Sequence, residues 1–227
     1  MSLGSNEVIT LYNKRARHYD VSANLYYLVG FRELAYRKQA VQALALKPGD
    51  TVVEIGCGTG LNFHLLERAV GETGRIIGVD LTSNMLDQAR LRVERAGWSN
   101  VELVQGDAAE YVFPKSTKAV LSSFAITLVP EYDRIIKQAS QALLPAGRIV
   151  ILDLKQPEHL PLWLTKIGVL LTKPFGVSLD LAARQPWNSV HRYFESVTMR
   201  QLYFGFVYLV CGVKSGQNEK TSQSRSS

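Results

Sequence analysis

Between Glu54 and Gly60 the chain reads E-I-G-C-G-T-G, three glycines in five positions with an acid two residues ahead of the first. Glycine lets a backbone approach a ligand that any Cβ would hold off. A loop of this kind, following a strand and opening into a helix, lies at the mouth of a doubly wound sheet. The dinucleotide fingerprint needs its third glycine at 61, where Leu61 stands, and a P-loop needs Gly-Lys-Ser/Thr, whereas no lysine follows Gly60. Glu54 would repel a pyrophosphate but suits a ligand carrying ammonium and sulfonium charge. Twenty residues past Gly60, Asp80 ends the run IIGVD. A carboxylate there can accept both hydroxyls of an unphosphorylated ribose. Asp107, in VQGDAAE, is placed to accept a hydrogen bond from an adenine amino group. Taken singly, Gly56 and Gly58 fit a tight turn, Asp80 a helix cap, Met85 a core position, Asp107 a turn and Cys57 a small filler. In order and together they suit a ligand with an amino acid, a ribose and a base.

These residues need a scaffold, and the hydrophobic rhythm supplies one. Residues 8–46 read as helical, and KPGD at 47–50 is a turn. Strands are expected at 51–55, 75–79, 101–105, 119–124 and 148–154, with helices at 62–69, 84–96 and 131–144 between them. Continuous aliphatic strands alternating with helices imply a parallel sheet covered on both faces. After 155 the pattern changes to an apolar helix-length stretch at 158–172 and a short helix at 187–194. Two β-rich runs then meet at Gly205, an antiparallel hairpin that closes the sheet edge. The expected fold is α/β, a doubly wound, mostly parallel seven-stranded sheet with a C-terminal antiparallel edge hairpin and an N-terminal helical lid. Its divisions fall at 1–46 (cap or lid), 47–213 (ligand-binding domain) and 214–227, a polar tail expected to be disordered.

The 227 residues carry 46% hydrophobic side chains and a formal net charge of +6, which suits one domain with a sizeable core. Two distant cysteines, Cys57 and Cys211, form neither a disulfide framework nor a metal-ligand spacing. The polar start MSLGSNEV is no signal peptide, and no stretch reaches the length of a spanning helix. The expected compartment is therefore cytoplasmic. Between Tyr12 and Lys38, six bases face two acids. That surplus fits either a solvated helix face or contact with an anionic surface.

VVEIGCGTG, VDLTSNML, GDAAE and LLPAGRIVILDL, in that order, resemble the motifs of class I S-adenosylmethionine-dependent methyltransferases. The resemblance covers roughly residues 8–213. Within that superfamily YNKRARHYD resembles the ubiquinone/menaquinone methyltransferase-like branch, which includes bacterial phospholipid N-methyltransferases. It implies a Rossmann-like methyltransferase fold, with S-adenosyl-L-methionine as cofactor, S-adenosyl-L-homocysteine as product, and no metal. Glu54, Gly56, Gly58 and Gly60 would line the methionine moiety, with Ser123 nearby. Asp80 would hold the ribose, with Met85 against the adenine and Leu81 also at the cofactor, and Asp107 would take the adenine amino group with the Ala108 backbone beside it. Tyr19 matches the aromatic residue that closes over the methyl end and is the one catalytic candidate.

The segment after the fourth strand narrows the acceptor. SSFAIT replaces the Asn/Asp-Pro-Pro-Tyr/Phe of amino-methylating nucleic-acid enzymes, so no nucleic acid is expected as a partner. KSTKAVL also departs from the family in lacking an acid at the start of that strand. Residues 160–177, LPLWLTKIGVLLTKPFGV, are strongly apolar with lysines interspersed. Such a segment suits a core helix or an interfacial one. With the basic N-terminal segment it points to a lipid-like acceptor, a phospholipid amine or a quinone-type ring, and to peripheral contact with the inner face of an anionic membrane. A soluble small-molecule acceptor and a non-catalytic cofactor-binding regulator are the alternatives.

Overall fold

The computed structural model describes residues 31–157 and 184–216. Tyr19, residues 1–30, the apolar segment 158–183 and the tail from 217 lie outside the described residues. Seven strands form one sheet: β1 (Thr51–Ile55), β2 (Arg75–Asp80), β3 (Val101–Gln105), β4 (Thr117–Ser123), β5 (Arg148–Leu154), β6 (Ser196–Leu202) and β7 (Val207–Val213). Their order is β3-β2-β1-β4-β5-β7-β6. The first five are parallel, and β7 runs antiparallel to both β5 and β6. The doubly wound, mostly parallel sheet with its antiparallel edge hairpin is thus observed. β7 occupies the inner position, beside β5, and β6 is the outer edge.

Among the described residues five α-helices pack on these strands: α1 (Glu33–Ala43), which precedes β1, and α2 (Phe63–Val70), α3 (Ser83–Ala96), α4 (Tyr132–Ala142) and α5 (Pro186–Tyr193), which lie between strands. Alternation along the strands feeds two cores. Val52, Leu121, Val150 and Leu152 face α1, α2 and α3, where Ala40, Leu44, Leu66 and Leu86 meet them. Val53, Ile55, Val120, Ile149 and Ile151 face the other way, onto Ile135, Ile136 and Val190 of α4 and α5. With both faces covered, strand interiors are aliphatic at successive positions, as a buried parallel sheet requires.

Among the boundaries that differ from the sequence reading, three are set by left-handed backbone. The first helix ends at Ala43, not 46, because Ala45 takes a left-handed φ of 49° that breaks it. The fourth strand begins at Thr117 and stops before Phe124, whose φ is 55°. The hairpin turn is a 3₁₀ turn over Tyr203–Gly205, in which Tyr203 and Phe204 also have positive φ. Bulky residues in that region are strained by about 1–3 kcal/mol each.

α4 and α5 are tied together by one carboxylate. Asp133 Oδ1 accepts from Ser189 Oγ at 2.6 Å and from Arg192 at 3.0 Å, and Oδ2 accepts from the Tyr193 hydroxyl at 2.8 Å. These bonds, the Ser189 hydroxyl foremost, hold the Asp133 carboxyl below its usual range. A carboxylate with a lowered folded-state pKa stabilises above its unfolded value and loses that contribution as pH falls through the folded one. Asp133→Asn is expected to cost about 1 kcal/mol at pH 7, the site being half exposed. Denaturant midpoints should show the difference shrinking below about pH 4.

Candidate active site

The glycine loop leaves β1 at the place where strand order reverses, with β2 on one side and β4 on the other. It is tied to the end of β2. The N–H groups of Gly56 and Cys57 both donate to Val79 O, at 2.8 and 3.1 Å, and the Gly58 N–H donates to Asp80 Oδ2 at 2.8 Å. Gly60 N–H donates back to Cys57 O at 3.0 Å. Four amides of the loop therefore have partners inside the protein and are not presented outward as a phosphate cradle.

Two glycines are demanded by geometry, for opposite reasons. At Gly56, φ is +65° and a Cβ would fall 2.3 Å from Cβ of Ala125, just beyond β4. At Gly58, φ is +55° and a Cβ would meet nothing within 4 Å. Gly56 lets the loop close against β4, whereas Gly58 bares its backbone to open space. Beneath the loop, Cys57 fills the notch left by Gly78. Burial pushes its thiol well above the usual range, so it is a filler and no nucleophile.

The open space is a cavity of about 1050 Å³, counted with its mouth. Of the residues the sequence singled out, Gly56, Gly58, Asp80, Leu81, Met85, Asp107 and Ala108 line it. Asp80 is both cap and candidate ligand. Its Oδ1 accepts the Thr82 N–H and hydroxyl at 2.9 and 2.6 Å ahead of α3, while Oδ2 holds Gly58. Met85 is buried at 2% exposure in the first turn of α3. Asp107 has one oxygen engaged by the Ala109 N–H at 2.8 Å. Gly60 lies off the cavity lining, where a Cβ would strike the Phe63 ring.

Glu54 and Ser123 are not lining residues. They belong to a buried polar layer behind the loop, which the sequence pattern does not announce. Asn62, at the N-cap of α2, donates through Nδ2 to Glu54 Oε1 and contacts Ser123 Oγ at 2.7 Å. Arg37 of α1 donates to Asn62 Oδ1 at 3.2 Å and Ser123 Oγ at 2.8 Å, and is paired with Glu33 at 2.6 Å. Its guanidinium also lies 5.2 Å from the Phe124 ring centroid, and both residues reach the cavity. The Glu33–Arg37 spacing of four, one helix turn, was the available signal. Buried and paired, Arg37 is removed from the basic surface counted in the sequence.

The opposite wall comprises Phe124, Ala125, Leu128, Val129, Pro130 and Glu131, none of them assigned from sequence. Asp153, buried at the end of β5, holds it from behind by accepting the Thr127 N–H at 3.0 Å and the Leu154 N–H at 2.8 Å. Among the described residues no group of three or more His, Cys, Asp or Glu could hold a metal ion. Among them too, no helix is long and apolar enough to cross a membrane.

Residues 1–165 match the ubiE/COQ5 methyltransferase family. The chain belongs to that family. Over 149 residues it is 32% identical to a demethylmenaquinone methyltransferase of Bacillus cereus, covering 65% of this chain and 62% of that protein. The chain thus spans less than two thirds of that relative's length. Among solved structures it resembles geranyl diphosphate C-methyltransferase from Streptomyces coelicolor (TM-score 0.63, 15% identity, 80% of this chain and 78% of that one). It also resembles phosphoethanolamine N-methyltransferase 2 of Haemonchus contortus (TM-score 0.60, 18% identity, 78% and 52%). At those identities the likeness is one of fold.

Burial pushes the Glu54 carboxyl up to about 7, the bonds from Asn62 and Ser123 and the charge of Arg37 opposing it in part. A carboxyl raised in the folded state stabilises fully below its unfolded pKa, and that contribution is lost as pH rises through the folded value. Wild-type protein should therefore lose stability relative to Glu54→Gln between about pH 4 and pH 8, by up to about 3 kcal/mol. Urea midpoints of the two proteins across that range check it.

Proposed function

We propose that the protein is an S-adenosylmethionine-dependent methyltransferase acting on a lipid-like acceptor, best a quinone-type ring. The observation that carries this is the glycine loop. Its N–H groups are bonded inward, its Gly58 backbone faces open space, and an acid stands behind it. That arrangement suits a cationic amino-acid moiety and not a pyrophosphate. The residues present fit the cofactor: Gly56 and Gly58 would border its methionine end, Asp80 retains an acceptor position on Oδ2 for a ribose hydroxyl, and Leu81 and Met85 offer an apolar bed for adenine. Asp107 and the Ala108 backbone would receive the adenine amino group.

When bound, S-adenosylmethionine supplies a methyl group on a sulfonium, open to in-line displacement. The chain's share of the work is then alignment and exclusion of water. Phe124, Leu128, Val129 and Pro130, with Glu131 at their end, make a largely apolar wall that suits a flat ring. The relative named as a demethylmenaquinone methyltransferase supports the same choice. In this reading residues 1–46 act as the lid, Tyr19 closes over the methyl end, and 47–213 form the cofactor-binding domain. Residues 158–177 and the basic N-terminal segment would meet the inner face of an anionic membrane.

S-adenosylhomocysteine should bind with micromolar affinity, about −8 kcal/mol, and NAD should not compete. Asp80→Ala should weaken it by about 1.5–3 kcal/mol, read by calorimetry. Incubation with methyl-labelled S-adenosylmethionine should move label into a prenylated 1,4-naphthalenediol. Label entering only a soluble metabolite extract would replace the lipid-like acceptor, and label entering nothing would favour a non-catalytic regulator.

A further inference from the structure

In the buried layer behind the loop one carboxylate oxygen has no hydrogen-bond partner among the described residues. Glu54 is 1% exposed, and its Oε1 is engaged by Asn62 and lies 3.4 Å from Ser123 Oγ. Its Oε2 is buried with no hydrogen-bond partner among the described residues. Unsatisfied buried carboxylate oxygen is costly, so such an atom calls for an explanation. Among the described residues the charged groups acting on it are few. Arg37 on α1 is the cation, but it is already paired with Glu33 on the same helix, at 2.6 Å. Asp80 at the end of β2 is a second negative charge, and the Cys57 thiol is neutral. Among the described residues Glu54 has no ion-pair partner of its own. Ile55 and Gly56, the next residues in the chain, and Arg37, which faces it, all line the cavity.

We propose that Glu54 distinguishes the sulfonium cofactor from its thioether product, by giving up its proton to solvent when the cation arrives and keeping more of it when the product is bound. This rests on the cofactor reading above. No covalent bond is made or broken beyond the carboxyl O–H, and the released proton goes to the buffer. The physical basis is Coulombic. As a general scale, at an effective dielectric of about 20 a unit positive charge within about 6 Å of a carboxyl would lower its proton affinity about a hundredfold. Both ligands carry the amino-acid ammonium and carboxylate, and the cofactor alone adds the sulfonium. Since burial holds the empty-site carboxyl near neutrality, with a pKa of about 7, the exchange falls in the physiological range. The outcome is a site that favours substrate over spent product as pH rises.

Calorimetry tests this without an acceptor. Wild-type protein is titrated with S-adenosylmethionine and with S-adenosylhomocysteine at pH 6, 7 and 8, in buffers of low and high ionisation enthalpy. The ratio of the two affinities cancels the titration of the ammonium that both ligands share. That ratio should shift by about tenfold in favour of the sulfonium between pH 6 and pH 8, with up to about half a proton released per cofactor bound at pH 7. In Glu54→Gln the ratio should be flat and the extra release absent. A flat ratio in wild-type protein, or unchanged release in Glu54→Gln, would overturn the proposal. Absence of binding heat and of competition for either ligand would instead overturn the cofactor reading beneath it.

Discussion

Three successive amides of the glycine loop, those of Gly56, Cys57 and Gly58, are bonded to the end of β2, two to Val79 O and one to the Asp80 carboxylate. Much of the site depends on that constraint. Drawn towards β2, the loop turns with positive φ at Gly56, and the side chain of Ala125 closes in from the β4 side. Cys57 is tucked under against Gly78, and Gly58 is left as the bare face of the cavity. Ligands of open α/β sheets bind outside the carboxyl ends of the strands at a switch in strand order. Here that switch lies between β1 and β4, and the loop fills its floor. Asp80 has a structural duty as well as any ligand-binding one, since the same carboxylate anchors Gly58 and caps the approach to α3.

Behind the loop, a second set of interactions joins elements distant in sequence. Glu33 and Arg37 from α1, Glu54 from β1, Asn62 from α2 and Ser123 from β4 form one buried polar layer. Burying an ion pair is not in itself stabilising, because desolvation opposes the attraction. Its effect here is positional. Through Arg37 the first helix is fixed against the ends of β1 and β4, with Phe124 beneath the guanidinium.

The sheet was largely legible because a parallel sheet buried on both faces writes itself as short aliphatic runs. Strands 51–55, 101–105 and 148–154 have the same limits in sequence and structure. Ends governed by single dihedrals were not legible. Nothing in the residue type at Ala45, Phe124 or Phe204 announces a left-handed φ, which tertiary contacts impose. The cavity-lining glycines, Asp80, Met85 and Asp107 stood out because each sits at a strand end or first helix turn in a fixed order. Arg37 did not, since an arginine in a basic run looks solvated until its helix is packed. The apolar wall from Phe124 to Pro130 was equally hidden. It is assembled by Asp153, from another strand, reaching Thr127.

The central claim is that the bare backbone at Gly58, held by Asp80, is the ligand-binding surface. Amide chemical shifts of the isotope-labelled protein, monitored while S-adenosylhomocysteine is added, test it most directly. The account predicts saturable shifts centred on Gly56, Gly58, Leu81, Met85 and Ala108, with small ones at the hairpin turn Tyr203–Gly205. Shifts that leave Gly58 unmoved and gather at the hairpin or at α5 would contradict it.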